Sequence, residues 1–291
     1  MKVTSMKTLS IVSAAVLLAL SPAAIAAEEA GKSEHHIERQ KWSFAGFWGQ
    51  YDKAQLQRGF EIYQNVCSNC HGLKRLSFRN LVQKGGPEFP EDSVKKLAKE
   101  WPNKITDGPN DAGEMFERDA LLSDRIFGPF KNEKAARAAF GGALPPDLSV
   151  IAKARGVENH SGWAKHIFID MPKDVLAGYQ EGGADYLYAL LTGYEDAPAG
   201  FKLNDGMNYN TAFPGNQISM PAPLSKDGPV KYQDGSGSLE ENARDIAAFL
   251  SWAADPSLND RKYIGWQVML YLLITTVLLG LGKRRLWAKV H

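Results

Sequence analysis

The sequence predicts a mainly α-helical chain with long loops and insertions, ending in one C-terminal transmembrane helix. Three observations predict it. Apolar residues recur at helical spacing behind capping residues at both ends of the central body. No stretch of strand length alternates between apolar and polar, and no internal repeat is visible. Near the C-terminus, 20 consecutive residues carry no charge, the length at which a helix crosses the hydrocarbon core of a bilayer.

In chain order, residues 1–26 read as a secretory signal. Lys2 and Lys7 give a positive start, Leu9 to Leu20 is apolar apart from Ser10 and Ser13, and Ala24-Ile25-Ala26 supplies a small-residue cleavage site. Residues 27–50 look irregular, and His35 and His36 sit in a polar stretch with no evident role. Asp52 then caps a helix, with Gln55 three residues on. Leu56, Phe60, Tyr63 and Cys67 mark its buried face. Breakers follow at Gly85-Gly86-Pro87, Asp107-Gly108-Pro109, Leu144-Pro145-Pro146 and Pro221-Ala222-Pro223. Short helices are expected at 91–101, 132–140 and 184–192. Ser238 and Glu241 form a second capping box, with Leu239, Ala243, Ile246 and Leu250 as the apolar stripe. This helix runs to about Ala254, before Pro256.

Tyr263 to Gly282 is the uncharged stretch, flanked by Arg261-Lys262 and by Lys283-Arg284-Arg285. Tyr263, Trp266 and Trp287 are placed like interfacial aromatics. The expected organisation is a signal peptide at 1–26, an exported domain at 27–262, an anchor at 263–282 and a cytoplasmic tail at 283–291. The basic tail stays inside by the positive-inside rule. This places a single-pass protein in a bacterial inner membrane, with its head in the periplasm.

The net charge of +1 hides an asymmetry. Of 34 basic residues, two lie in 1–26 and four in 263–291, so 27–262 keeps 28 against all 33 acidic ones, a net of −5. An acidic body disfavours nucleic acid and favours cationic partners. Two cysteines exclude a disulfide-stapled framework and a four-thiolate zinc site.

Those cysteines form Cys67-Ser68-Asn69-Cys70-His71, the attachment signature for c-type haem. At this spacing both thiols face one way and can add to the two vinyl groups, while His71 supplies the proximal iron ligand. A thioredoxin-like pair would need a helix starting at the motif; here a helix precedes it. One motif implies one covalently bound haem c. Its iron is closed, and suited to electron transfer, only if a sixth ligand is present. Met115, Met171, Met207, Met220, His160 and His166 are the candidates. Met171 and Met220 precede proline, and Met220-Pro221-Ala222-Pro223 is the stiffer setting. Physics favours Met220 and leaves Met171 open.

Segments in a fixed order then carry a resemblance. They are Arg58-Gly59-Phe60, Asp107-Gly108-Pro109-Asn110, Gly113-Glu114-Met115-Phe116 and Ala135-Ala136-Arg137-Ala138. Gly142-Ala143-Leu144-Pro145-Pro146-Asp147-Leu148-Ser149 and Leu190-Leu191-Thr192-Gly193-Tyr194 continue it, followed by Ile218-Ser219-Met220-Pro221-Ala222-Pro223-Leu224 and Trp252-Ala253-Ala254-Asp255-Pro256. Over roughly residues 40–291 the chain resembles the cytochrome c1 family. That family is the haem subunit of ubiquinol–cytochrome c oxidoreductase, the cytochrome bc1 complex.

The resemblance implies a c-type cytochrome head and a place in the respiratory chain. It implies that Met220 is the axial methionine beside His71, and that Arg155 contacts a haem propionate. Tyr186 then lies near the haem, Leu144, Pro145 and Pro146 form pocket wall, and a carbonyl there accepts from His71. Gly59 is where the first and last helices of the head cross. On its own such a chain is no enzyme; it carries electrons within an enzyme complex. The implied partners are cytochrome b, the Rieske iron–sulfur protein as donor and a c-type cytochrome as acceptor, in a dimeric complex. Glu88, Glu91 and Asp92, with Asp107, Asp111 and Glu114, are acidic patches that could steer a basic acceptor. Two departures stand out. Val157 to Gly178 is longer than in compact members and includes Met171. The extra cysteine pair of some bacterial members is missing, so packing is expected to hold the Met220 loop.

Overall fold

The computed structural model of the chain describes residues 37–156, 163–176, 178, 180–225, 231–232 and 237–288. The expected signal segment, His35, His36 and His160 lie outside the described residues, as do parts of the 157–178 insert and of the 283–291 tail.

The elements run α1 (Lys53–Asn65), β1 (Leu73–Ser77), α2 (Glu91–Glu100), β2 (Ile105–Asp107), β3 (Phe116–Arg118), β4 (Arg125–Ile126) and α3 (Glu133–Ala139). They continue α4 (Ile151–Ala154), α5 (Trp163–Lys165), α6 (Met171–Leu176), α7 (Gly183–Thr192), β5 (Asn208–Tyr209), β6 (Gln217–Ile218), α8 (Leu239–Ala254) and α9 (Leu258–Trp287). The architecture is mainly α, with an apolar C-terminal helix. The three short helices expected after 90, after 131 and after 183 appear as α2, α3 and α7.

The strands depart from the sequence reading, which anticipates none. β1 pairs antiparallel with β4, β2 with β3, and β5 with β6. Each strand is five residues or shorter. β1 does not alternate between buried and exposed residues, and the other strands, at most three residues long, are too short for alternation to show.

Capping fixes the two long head helices. The Asp52 carboxylate accepts the Gln55 N–H at 2.7 Å. The Gln55 side chain does not close the box; its Nε2 donates to Asp245 Oδ1 at 3.1 Å. At α8 the box is reciprocal: the Glu241 N–H donates to Ser238 Oγ at 3.2 Å and the Ser238 N–H to Glu241 Oε2 at 2.9 Å. The stripe Leu239, Ala243, Ile246 and Leu250 is buried.

α1 crosses α8 at Gly59. A Cβ built there would stand 2.2 Å from the Asp245 carbonyl oxygen and 2.6 Å from the Phe249 Cβ. Glycine therefore sets the approach of the helices. Around the crossing, Phe249 packs on Phe60 (5.6 Å), Tyr63 (5.9 Å) and Trp252 (5.6 Å), and Tyr63 stacks on Trp101 at 6.5 Å. Asp245 is buried in this apolar surround. Its carboxylate accepts from Arg58 Nε at 2.6 Å, from Gln55 and from the Tyr232 hydroxyl at 2.7 Å. A buried carboxylate must be satisfied in this way to be tolerated.

α8 ends at Ala254, with Asp255 as its C-cap just before Pro256. The buried Asp255 carboxylate pairs with Lys153 of α4 at 3.1 Å and with Arg261 of α9 at 2.6 Å. This joins the head to the first turn of α9. Among the described residues, α9 is the one helix long and apolar enough to cross a membrane, and the rest of the chain leaves its most apolar stretch uncovered. Tyr263–Gly282 lies inside it. Among the described residues this one candidate span fits a single-pass membrane protein.

Candidate haem site

α1 delivers the cysteine motif. Directly after it, Cys67–Asn69 wind as a single 3-10 turn. The backbone N–H groups of Cys70 and His71 both donate to the Cys67 carbonyl, at 3.1 and 2.9 Å. The Tyr63 hydroxyl reaches forward to the His71 carbonyl at 3.0 Å, so the buried face of α1 grips the end of the motif. Cys67 and Cys70 are free, half-buried thiols. Burial pushes the Cys67 thiol up to about 12 and raises Cys70 as well.

His71 is oriented by one contact. Its Nδ1 lies 2.7 Å from the Pro146 carbonyl oxygen. A carbonyl only accepts, so Nδ1 carries the proton and Nε2 keeps its lone pair. Burial lowers the imidazole pKa, against opposing effects of the Pro146 carbonyl and of Asp147. The ring is neutral at neutral pH, the form that ligates a metal.

The Pro146 segment is itself locked to the chain that follows the motif. The Leu148 N–H donates to Gly72 O at 2.9 Å. The Lys74 N–H donates to Asp147 Oδ2 at 2.8 Å, and the Arg75 N–H to Ser149 Oγ at 3.0 Å. Leu144 and Pro145 are half-buried here and Pro146 is exposed. The sequence reading missed Asp147 and Ser149. Their signal is the Asp-x-Ser pattern after Pro-Pro, in which the Asp147 carboxylate also accepts the Ser149 N–H at 3.0 Å.

The same segment runs into α4, which packs on α7 and α8. Arg155 ends α4 and is exposed. Tyr186 is buried on α7; burial raises its phenol pKa, and the nearby Arg155 guanidinium opposes that. The structure therefore brings Arg155 and Tyr186 into electrostatic reach of each other.

Met220 is half-buried and follows the β5–β6 ribbon. The ribbon turns at Gly215 and Asn216, both at positive φ (+78° and +57°). Asn210, fully buried, secures it: its Oδ1 accepts from Ala212 and Phe213 N–H, and its Nδ2 donates to Leu190 O of α7 at 2.8 Å. The Met220 carbonyl accepts the Tyr194 hydroxyl at 3.1 Å and Asn208 Nδ2 at 3.3 Å. Leu191, Tyr194, Asn208 and Ala222 line an open cleft of about 810 Å³. Hydrogen bonds secure this edge of the loop, beside the buried side chains of Ile218 and Leu224. Met171, the rival, lies on α6 and is 48% exposed; Met115 is 60% exposed. The described residues give Met171 no comparable support.

These donors suit haem c. The thiols are unpaired and three residues apart, the imidazole is neutral with Nε2 available, and a thioether lies on a fixed loop. Among the described residues no group of three or more His, Cys, Asp and Glu could hold a bare metal ion.

The acidic patches are thinner than the sequence suggests. Glu88 pairs with Lys53 at 3.4 Å and takes the Gly85 N–H. Lys95 pairs with both Glu91 and Asp92, and Arg118 with Asp107. Asp111 and Glu114 are exposed and make no salt bridge among the described residues.

Comparison with known proteins gives one answer. The model of the cytochrome C1 family matches residues 42–290. A cytochrome c1 of Blastochloris viridis is 45% identical over 281 residues, 96% of each chain. A cytochrome c1 of Rhodospirillum rubrum is 40% identical, over 97% of each. A cytochrome b/c1 of Bradyrhizobium diazoefficiens is 46% identical over 86% of this chain and 35% of its own length. The chain therefore belongs to the cytochrome c1 family, the electron-transfer haem subunit of the cytochrome bc1 complex.

Proposed function

We propose that this chain takes one electron from the Rieske iron–sulfur protein and delivers it to a c-type cytochrome. The observation that carries the reading is the His71–Pro146 contact beside two free thiols. It prepares a neutral imidazole with a fixed tautomer and an open Nε2. When bound, haem c supplies a one-electron ferric/ferrous couple. The chain's residues do the rest. Cys67 and Cys70 would hold the group as thioethers, and His71 and Met220 would ligate its iron. Arg155 offsets propionate charge. Tyr186, Leu144, Pro145 and Pro146 wall the pocket and exclude water, which raises the potential.

The organisation follows from the same reading. The signal at 1–26 is removed, the head at 27–262 faces the periplasm, 263–282 spans the inner membrane, and the basic tail at 283–291 is cytoplasmic. The Bradyrhizobium protein, named for both cytochromes, supports cytochrome b as a neighbour. The assembled complex is dimeric. For the acceptor, Asp111 and Glu114 are the acidic residues left to steer a basic cytochrome, an effect that salt screens.

Stopped-flow mixing of the reduced, detergent-solubilised full chain with an oxidised basic c-type cytochrome tests the acceptor step. Transfer should slow as salt rises, and Asp111→Lys with Glu114→Lys should flatten that dependence. Absence of transfer at any salt would overturn the proposed direction of electron flow.

A further inference from the structure

One apolar loop is unused by the haem site. From Trp42 to Gln50 the chain has no charged residue. Trp42, Phe44 and Tyr51 are buried, with ring centroids 5.5 and 4.9 Å apart in succession. The Gln50 N–H closes the loop onto Ser43 O at 3.0 Å. At its tip Phe47 is 66% exposed and Trp48 71% exposed.

The loop is fixed to α9. Lys262 Nζ donates to the Phe44 carbonyl at 2.7 Å and to the Gly49 carbonyl at 3.0 Å. The Tyr51 N–H donates to Asn259 Oδ1 at 3.2 Å. The Trp48 ring meets the Trp266 ring edge-on at 5.1 Å. Trp266 lies three residues beyond Tyr263, where the uncharged stretch begins. At 1.5 Å per residue it is about 4.5 Å along the helix from that boundary. The loop tip is therefore level with the start of the span, beside its uncovered apolar side chains.

We propose that Phe47 and Trp48 form a second membrane contact. They insert into the boundary between headgroups and acyl chains on the side of the head, and, with Trp266 and Lys262, fix the tilt of the head on the bilayer. The chemistry matches: an uncharged loop with two large rings at its tip, in continuity with a spanning helix, at the depth where tryptophan concentrates. A single flexible tether would leave the head free to reorient; the Lys262 clamp and this contact together oppose that. The inference rests on α9 spanning the membrane, and the experiment separates the two.

The test uses the full-chain haem protein in nanodiscs of phosphatidylethanolamine and phosphatidylglycerol. Its native cysteines are consumed by haem attachment, so Phe47→Cys, Leu273→Cys and Lys96→Cys can each carry one nitroxide. A wild-type haem spectrum certifies the fold of each variant. Collision with oxygen reports lipid, and collision with a water-soluble nickel complex reports solvent. The expected result is a Phe47→Cys label with an oxygen-to-nickel ratio several-fold above that of Lys96→Cys, approaching that of Leu273→Cys. A ratio equal to that of Lys96→Cys, with Leu273→Cys in lipid, would overturn the contact and leave the span standing. Shielding from both reagents would overturn it in favour of a protein partner. Nickel access at Leu273→Cys would remove the span itself.

Discussion

Replacing Gly59 by alanine adds a single methyl group at the crossing of α1 and α8. That methyl would stand 2.2 Å from the Asp245 carbonyl oxygen, where ordinary contact begins near 3.4 Å. The shortfall is about 1.2 Å, the difference of those two distances. The obstructing atom is backbone, so no rotamer change relieves it; α1 has to move off α8. The move also stretches the Arg58–Asp245 pair at 2.6 Å and the Gln55–Asp245 bond at 3.1 Å. Overpacking of this kind costs about 1–3 kcal/mol, and a rigid obstruction argues for the upper end. For a domain of this size each kcal/mol lowers Tm by about 2–4 °C. The expected loss is therefore about 6–12 °C for Gly59→Ala. Thermal melting of the solubilised haem protein, followed by circular dichroism, measures it. Gln64→Ala, on the exposed face of the same helix, is the control. A Gly59→Ala melting point within about 2 °C of wild type would refute the close crossing and the placement of the motif that depends on it.

Two further outcomes are expected. Tyr194→Phe deletes the hydroxyl that donates to the Met220 carbonyl; at about 1 kcal/mol per hydrogen bond, added imidazole should displace Met220 from the oxidised protein roughly fivefold more readily than in wild type. An unchanged imidazole affinity would show that Tyr194 does not position the loop. Arg118 holds Asp124 and Asp107 below the usual carboxylate range, chiefly by donating hydrogen bonds to them. Their folded-state pKa is depressed, so the stabilisation is complete above about pH 4 and is lost as pH falls through the depressed values. Urea midpoints should separate wild type from Arg118→Leu at pH 7 and converge in acid; a gap that widens in acid would contradict this.

What the sequence revealed was what is local. The Asp52 and Ser238 caps and the stripes behind them lie within one or two helical turns, and both helices form where that grammar places them. The cysteine motif is equally local. The β1–β4 ribbon is not: Leu73 pairs with Ile126, 53 positions away by its numbering, β1 does not alternate and β4 is only two residues long. The supports of Met220 were hidden for the same reason. Tyr194 and Asn208 reach its carbonyl only because Gly215 and Asn216 turn the ribbon back. Charge was legible, but pairing only partly. The Lys95–Glu91 pair follows helical spacing, whereas Arg118 meets Asp107 through the β2–β3 ribbon. The His71–Pro146 contact joins residues 75 apart and came within reach only through family resemblance.

The proposed function requires His71 and Met220 to close the iron of a one-electron carrier. A redox titration of the solubilised protein beside Met220→Leu, with carbon monoxide added to each reduced form, examines that ligand pair. The expected result is a high potential and no carbon monoxide binding in wild type, and a lowered potential with carbon monoxide binding in Met220→Leu. Carbon monoxide binding by intact wild type, or a Met220→Leu protein indistinguishable from it, would remove Met220 as a ligand of the iron.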